Sequence, residues 1–131
     1  MLRKGEFSLN IDFDSKSSIF LQIADSIEDA ILLGAYPEET QIPSTTDISV
    51  KYKINPATAL KGINILVDDG IIYKKRGLGM FVAEGAVAKL KDKRKKEFFD
   101  SYVSGLIDEA KRLDIKKNEI LSMIERGMRD E

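Results

Sequence analysis

With 131 residues, 43% of them hydrophobic and 33% charged, and a formal net charge of −1, the chain is sized for one small globular domain, alone or with an appendage. It contains no histidine and no cysteine, which excludes Ser–His–Asp and Cys–His nucleophile systems and ordinary zinc sites built on thiolate and imidazole. No apolar run approaches the roughly 20 residues needed to cross a bilayer.

The first residues, 1–17, read as an arm in which Phe7, Leu9, Ile11 and Phe13 alternate with polar neighbours as an extended segment would. They show no apolar signal-peptide core, and the lack of cysteine fits a reducing compartment, so a soluble cytoplasmic protein is expected. Ser17 or Ser18 can cap a helix whose apolar stripe is Phe20, Ile23, Ala24, Ile27, Ala30 and Ile31, ending at Gly34. Residues 36–41 hold Pro37 and the pair Glu38-Glu39 and read as a turn, and Ile42-Pro43 as a brief extended piece.

Ser44 followed by Asp47 is a capping pattern that opens a short helix ending near Lys53. Asn55 then supplies an N-cap, and Pro56 fits the first helical position, where its missing N–H costs nothing. In this second helix Ala59, Ile63, Leu66 and Val67 form one apolar side. Asn55, Ala57, Thr58, Lys61 and Asn64 are left on the other, and Gly70 is the stop. Two helices so closely joined fit a helix-turn-helix, the second helix entering the major groove, or equally an ordinary αα-hairpin. After Gly70 the period falls to about 2. Ile71, Ile72 and Tyr73, then Met80, Phe81 and Val82, form a hairpin with the tip Lys74-Lys75-Arg76-Gly77-Leu78-Gly79. A basic, glycine-bearing hairpin directly after a helix pair is a wing, and this tips the balance toward DNA.

Charge supports that choice. Residues 1–40 carry three basic against eight acidic side chains, whereas residues 51–96 carry twelve basic against four acidic. A basic stretch on a helix pair is the electrostatic footprint of phosphate binding. Other chemistry is weakly represented. Asp12 with Asp14 and Asp68 with Asp69 lack the glycine and distal glutamate of a calcium loop, and Gly77-Leu78-Gly79 does not lead into a helix as a nucleotide loop would. No metal, no cofactor and no enzymatic activity are expected.

Residues 85–131 read as a helical tail. Its basic run Lys89–Lys96 is followed by Phe99, Val103, Leu106, Ala110 and Leu113 at spacings of 4, 3, 4 and 3, flanked by Phe98, Tyr102 and Ile107. A break near Asp114 precedes a last helix with Ile120, Leu121, Ile124 and Met128. Two short helices cannot bury that much apolar surface on each other, so a homodimer through the tail is expected ahead of an intramolecular cap. The organisation is an arm (1–17), a winged helix-turn-helix domain (18–84) and a helical dimerisation tail (85–131), mainly α with a small β-hairpin.

Five blocks, in order, carry a resemblance: Ile19-Phe20-Leu21-Gln22-Ile23, Ile42-Pro43-Ser44, Asn55-Pro56-Ala57-Thr58, Gly70-Ile71-Ile72, and Lys75-Arg76-Gly77-Leu78-Gly79-Met80-Phe81-Val82. Together they resemble the winged-helix domain of GntR-family bacterial transcription regulators. The short two-helix tail and the Asn-Pro opening resemble the YtrA-like subfamily, which implies dimerisation through those helices and control of neighbouring transporter genes. The resemblance implies DNA contacts by Ser44 and Thr45 at a helix start, by Asn55, Ala57, Thr58 and Lys61 on the recognition helix, and by Lys75, Arg76, Gly77 and Gly79 in the wing. Thr46, also counted among the DNA-binding residues, stands where the family commonly has an arginine; this removes a bidentate contact, so either the operator differs or affinity comes more from the wing and the basic run. The expected function is a repressor that binds a pseudopalindromic operator as a homodimer, with an interaction module for RNA or an acidic protein as the alternative. A small-molecule effector is left open, since no sugar or acyl pocket can be named.

Overall fold

The structure, a computed structural model, describes residues 8–129; Phe7 and the rest of 1–7 lie outside them. The described residues divide into two compact units that part between Asp92 and Lys93.

In the first unit, α1 (Ile19–Leu32) turns Ile23, Ala24, Ile27, Ala30 and Ile31 into the core, as its spacing requires. Ser18 holds the N-cap position but makes no capping hydrogen bond. The preceding loop is fastened instead by Gln22, whose Nε2 donates to the carbonyls of Asp12 and Ser17 at 3.0 Å and whose Oε1 accepts the Asp12 N–H. Of the arm, Leu9 is buried and its N–H donates to the Tyr52 hydroxyl at 2.8 Å, while Phe13 is exposed. The alternation therefore breaks after Ile11. Ser26, buried on α1, exchanges hydrogen bonds with the Asn10 backbone. Gly34, with φ of +85°, ends α1, and the Ala35 N–H returns to the Ala30 carbonyl.

The helix pair is α2 (Thr45–Tyr52) and α3 (Pro56–Asp68). α2 closes at Lys53 in the left-handed region, and the Ser49 hydroxyl donates to the Ile54 carbonyl within the turn. α3 buries Ala59, Gly62, Ile63 and Leu66 against α1. Val67, expected on that side, is 37% exposed, and Gly62 takes its place in the contact. The reason is distance: a Cβ on Gly62 would lie 2.8 Å from the Phe20 carbonyl oxygen, so the two backbones approach where only hydrogen fits.

The hairpin strands are β1 (Ile72–Lys75) and β2 (Gly79–Val82), antiparallel, with Ile72 opposite Val82 and Lys75 opposite Gly79. They are offset from the expected Ile71–Tyr73 and Met80–Val82. The Ile71 N–H bonds the Leu66 carbonyl at 2.9 Å and so belongs to the exit from α3, which moves Lys74 and Lys75 out of the tip and into β1. The stretch read as a turn and brief extended piece lies along β2. The Glu39 and Ile42 N–H groups donate to the Val82 and Met80 carbonyls, and the Val82 N–H donates to Thr40, at 2.8 to 3.0 Å.

Helix α4 (Ala86–Phe98) places Ala86 and Leu90 in the first unit's core, so that unit runs to residue 92, past the expected division after residue 84. Its start is capped from afar: the Glu38 carboxylate accepts the Gly85 and Val87 N–H groups at 2.8 and 3.0 Å. In the second unit a π-helical turn, Phe99–Val103, precedes α5 (Ser104–Arg112). The 4-3-4-3 spacing does not reveal that turn, because the spacing is that of an uninterrupted α-helix, whereas the turn is closed by wider i→i+5 bonds. The chain reverses at Asp114, with φ of +57°, into α6 (Lys117–Arg129). No helix among the described residues is long and apolar enough to cross a membrane.

Candidate nucleic-acid interface

Two helix starts and one hairpin tip carry the residues expected to meet DNA. At the start of α2 the Ser44 hydroxyl accepts the Asp47 N–H at 3.0 Å and the Asp47 carboxylate accepts the Ser44 N–H at 3.1 Å, a complete capping box. The hydroxyl proton of Ser44 is left over for an external acceptor. Thr45 is half-buried beside it and Thr46 is exposed.

At the start of α3 the Asn55 Oδ1 accepts the Ala57 N–H at 2.8 Å, so its oxygen is committed to the cap, and the residue itself is exposed. Ala57, Lys61 and Asn64 form an exposed row along α3, and Thr58 is half-buried at its edge. The Lys61 ammonium does not extend freely: it sits 4.0 Å from the centroid of the Phe20 ring. Leu60, which residue typing alone passes over, is 47% exposed on the flank of the same row. Its signal is available in the periodicity, since it falls outside the stripe of Ala59, Ile63 and Leu66.

The tip consists of Arg76, Gly77 and Leu78, closed by the Leu78 N–H to the Lys75 carbonyl at 2.9 Å. Gly77 has φ of +78° and Gly79 of +117°, backbone that side-chain-bearing residues rarely adopt. Arg76 and Lys74 are exposed. Lys75 differs from expectation: half-buried in β1, it lays its ammonium 4.4 Å from the Phe81 centroid and 5.9 Å from that of Tyr73. The Tyr73 hydroxyl donates to Glu39 at 2.7 Å, and this bond raises its pKa above the usual tyrosine value.

Of the residues expected at a subunit interface, Ala110 is buried, Val103, Ile107 and Ile120 are half-buried, and Phe99, Tyr102, Leu106, Leu113, Leu121 and Ile124 are exposed. α5 and α6 share an apolar groove of about 450 Å³ between them. Among the described residues no group of acidic side chains is arranged to hold a metal ion.

A capped helix pair followed by a basic antiparallel hairpin is a winged helix-turn-helix, the architecture of a DNA-binding regulator. Comparison with known proteins makes the class specific. The family described as bacterial regulatory proteins, gntR family, matches residues 20–82. An uncharacterised HTH-type transcriptional regulator of Bacillus subtilis, YhcF, is 32% identical over 86% of this chain and 91% of its own length. The B. subtilis HTH-type transcriptional repressor YtrA is 26% identical over 75% of this chain and 82% of its own. Among solved structures, a GntR-family transcriptional regulator from Bacteroides thetaiotaomicron is 38% identical, with a TM-score of 0.68, covering 86% of this chain and 97% of its own. The DNA-binding domain of AraR in complex with operator ORX1 is 26% identical, with a TM-score of 0.50, covering 57% of this chain and 96% of its own. The chain belongs to the GntR family of transcription regulators and is similar to its YtrA-like members; these relatives are regulators, not enzymes.

Proposed function

We propose that the protein is a repressor that binds a pseudopalindromic operator as a homodimer, each half-site read by α3 and by one hairpin tip. The observation that carries this reading is the exposed row of Ala57, Lys61 and Asn64 on a helix whose N-terminus opens at an exposed Asn55-Pro56. The row lies opposite the side of α3 that packs into the core, and its Lys61 and Asn64 match the edge chemistry of base pairs. The likeness of the domain to that of AraR, whose structure includes an operator, supports the same assignment. Ser44 and Thr45 are assigned to a phosphate at the α2 N-terminus, with Thr46 at its exposed edge. Asn55, Ala57, Thr58 and Lys61 are assigned to the major groove, and Arg76 with Gly77 and Gly79 to the adjacent minor groove or backbone. Lys75 is assigned a field contribution rather than a contact.

Repression is supported by YtrA, which is described as a repressor. Dimerisation is assigned to α5 and α6 through the apolar side chains they leave exposed, and cytoplasmic location follows from the duplex partner. The experiment is fluorescence anisotropy on the chain's own upstream DNA against a scrambled duplex across a salt series. Preferential binding with a log–log salt slope of about −5 to −9, for roughly six to ten neutralised phosphates, is expected. Equal, weak binding to both duplexes overturns the operator reading for the free protein and returns an effector-gated regulator or the interaction-module alternative.

A further inference from the structure

The hairpin tip is a small element of three exposed residues, one of them a glycine, and two strands of four residues do not by themselves fix where it points. Its position is held from outside the hairpin. Residues 39–42 run along β2, with Gln41 paired opposite Phe81. From that position the Gln41 side chain reaches past the end of the strand, and its Nε2 donates to the Leu78 carbonyl at 2.7 Å, across 37 residues of sequence. Gly79 makes room for it: a Cβ there would lie 2.7 Å from the Gln41 Nε2. The same glycine has φ of +117°, so its backbone disfavours a side chain, and one placed there would push the Gln41 amide aside.

We propose that Gln41 is a positioning residue for DNA binding, which latches the hairpin tip through the Leu78 carbonyl and so sets the direction in which Arg76 is presented. The inference rests on the operator reading above. Gln41 need not touch DNA to act: one N–H of its amide is engaged by the Leu78 carbonyl, and its side chain lies over Gly79. The latch acts at the last carbonyl before β2, where a lost bond loosens a tip still closed by the Leu78 N–H to the Lys75 carbonyl, without opening the ladder from Lys75–Gly79 to Ile72–Val82. Gln41 is itself exposed, so its replacement leaves the core intact.

Gln41→Met tests this, because it keeps the length and bulk of the side chain and removes only the donor and acceptor. In the full chain, amide hydrogen exchange at Leu78 and Gly79 should accelerate several-fold in Gln41→Met while exchange in α1 and α3 is unchanged. Unaltered exchange at the tip overturns the latch whether or not the protein binds DNA. Operator affinity, by anisotropy, should fall about fivefold, the factor set by one net hydrogen bond. The loss should shrink toward nothing when the two proteins compared already carry Arg76→Ala, since a residue acting through Arg76 has nothing left to position. Additive losses, or unchanged affinity in Gln41→Met, overturn the positioning role. Faster tip exchange in a protein that prefers no duplex overturns the operator reading, and with it the purpose of the latch.

Discussion

At the scale of single residues, Lys61 and Arg76, the two cations assigned direct DNA contacts, differ in what they give up to bind. Lys61 rests on Phe20, and a cation–π contact at an exposed site is worth about 0.5–1 kcal/mol, against about 1–3 kcal/mol for a good base contact. The base contact wins, so Lys61 can leave the ring on binding. Arg76 is exposed at the tip. Lys61→Ala should therefore lower affinity for the native upstream duplex and flatten the preference over scrambled DNA. Arg76→Ala should weaken both duplexes alike and reduce the salt slope by about 1. Competition anisotropy separates these outcomes, and matching effects from the two variants would refute the division of roles. Glu38 supplies a different test. The Gly85 and Val87 N–H groups hold its carboxyl below the usual glutamate value, so the anion is favoured in the folded state. A lowered carboxyl pKa gives stability that is full at neutral pH and lost as pH falls below the ordinary value and through the lowered one. Glu38→Gln should melt earlier near neutrality and lose part of the acid dependence, as followed by circular dichroism melts from about pH 3 to about pH 7. An unchanged acid limb would show that the cap is energetically silent.

At the scale of elements, α3 shows how two local effects compete at one position. Gly62→Ala in a helix interior should gain about 1 kcal/mol of propensity, as any exposed site would. Here the added methyl would meet the Phe20 carbonyl oxygen at 2.8 Å and the Ile23 Cβ at 3.0 Å, both parts of a packed helix. Overpacking costs about 1–3 kcal/mol, so the net change is destabilising. Chemical denaturation should show a lower midpoint with an unchanged slope, and a stabilised Gly62→Ala would mean that α1 and α3 can separate freely. The example marks what the sequence reveals. Caps at Ser44 and Asn55, the stop at Gly70 and the stripe of α1 are short-range signals, and all are present in the structure. A close approach of two backbones is a long-range fact, which is why Val67 was expected where Gly62 packs. The pairing of residues 39–42 with β2, the Gln41 latch and the Glu38 cap are hidden for the same reason: each joins positions more than 30 residues apart. The tip glycines and Arg76 were legible from composition, whereas the retreat of Lys75 onto Phe81 depends on strand register.

At the scale of the whole molecule, the apolar side chains of the tail need an occupant. Phe98 and Tyr102 pack their rings 5.4 Å apart yet remain exposed, and Leu113, Leu121 and Met128 are each more than half exposed. Exposed apolar residues scattered singly are ordinary, but here they recur from the end of α4 through α6, and the groove shared by α5 and α6 is lined by Val103, Leu106, Ile107, Ile120 and Ile124. A second copy of the chain is the occupant proposed, because a palindromic site read by two α3 helices needs the same symmetry in protein and DNA. Val103→Asp places a carboxylate in that groove. An isolated charge moved into an apolar contact loses its hydration without a partner, so the association should fail before the helices do. Sedimentation should then give a monomer, with helical content by circular dichroism retained and operator affinity reduced, because the second half-site is no longer tethered to the first. A Val103→Asp protein that sediments as a dimer would move the interface away from this groove. The winged domain would keep its proposed contacts, but the spacing of the half-sites would have to be set by another surface.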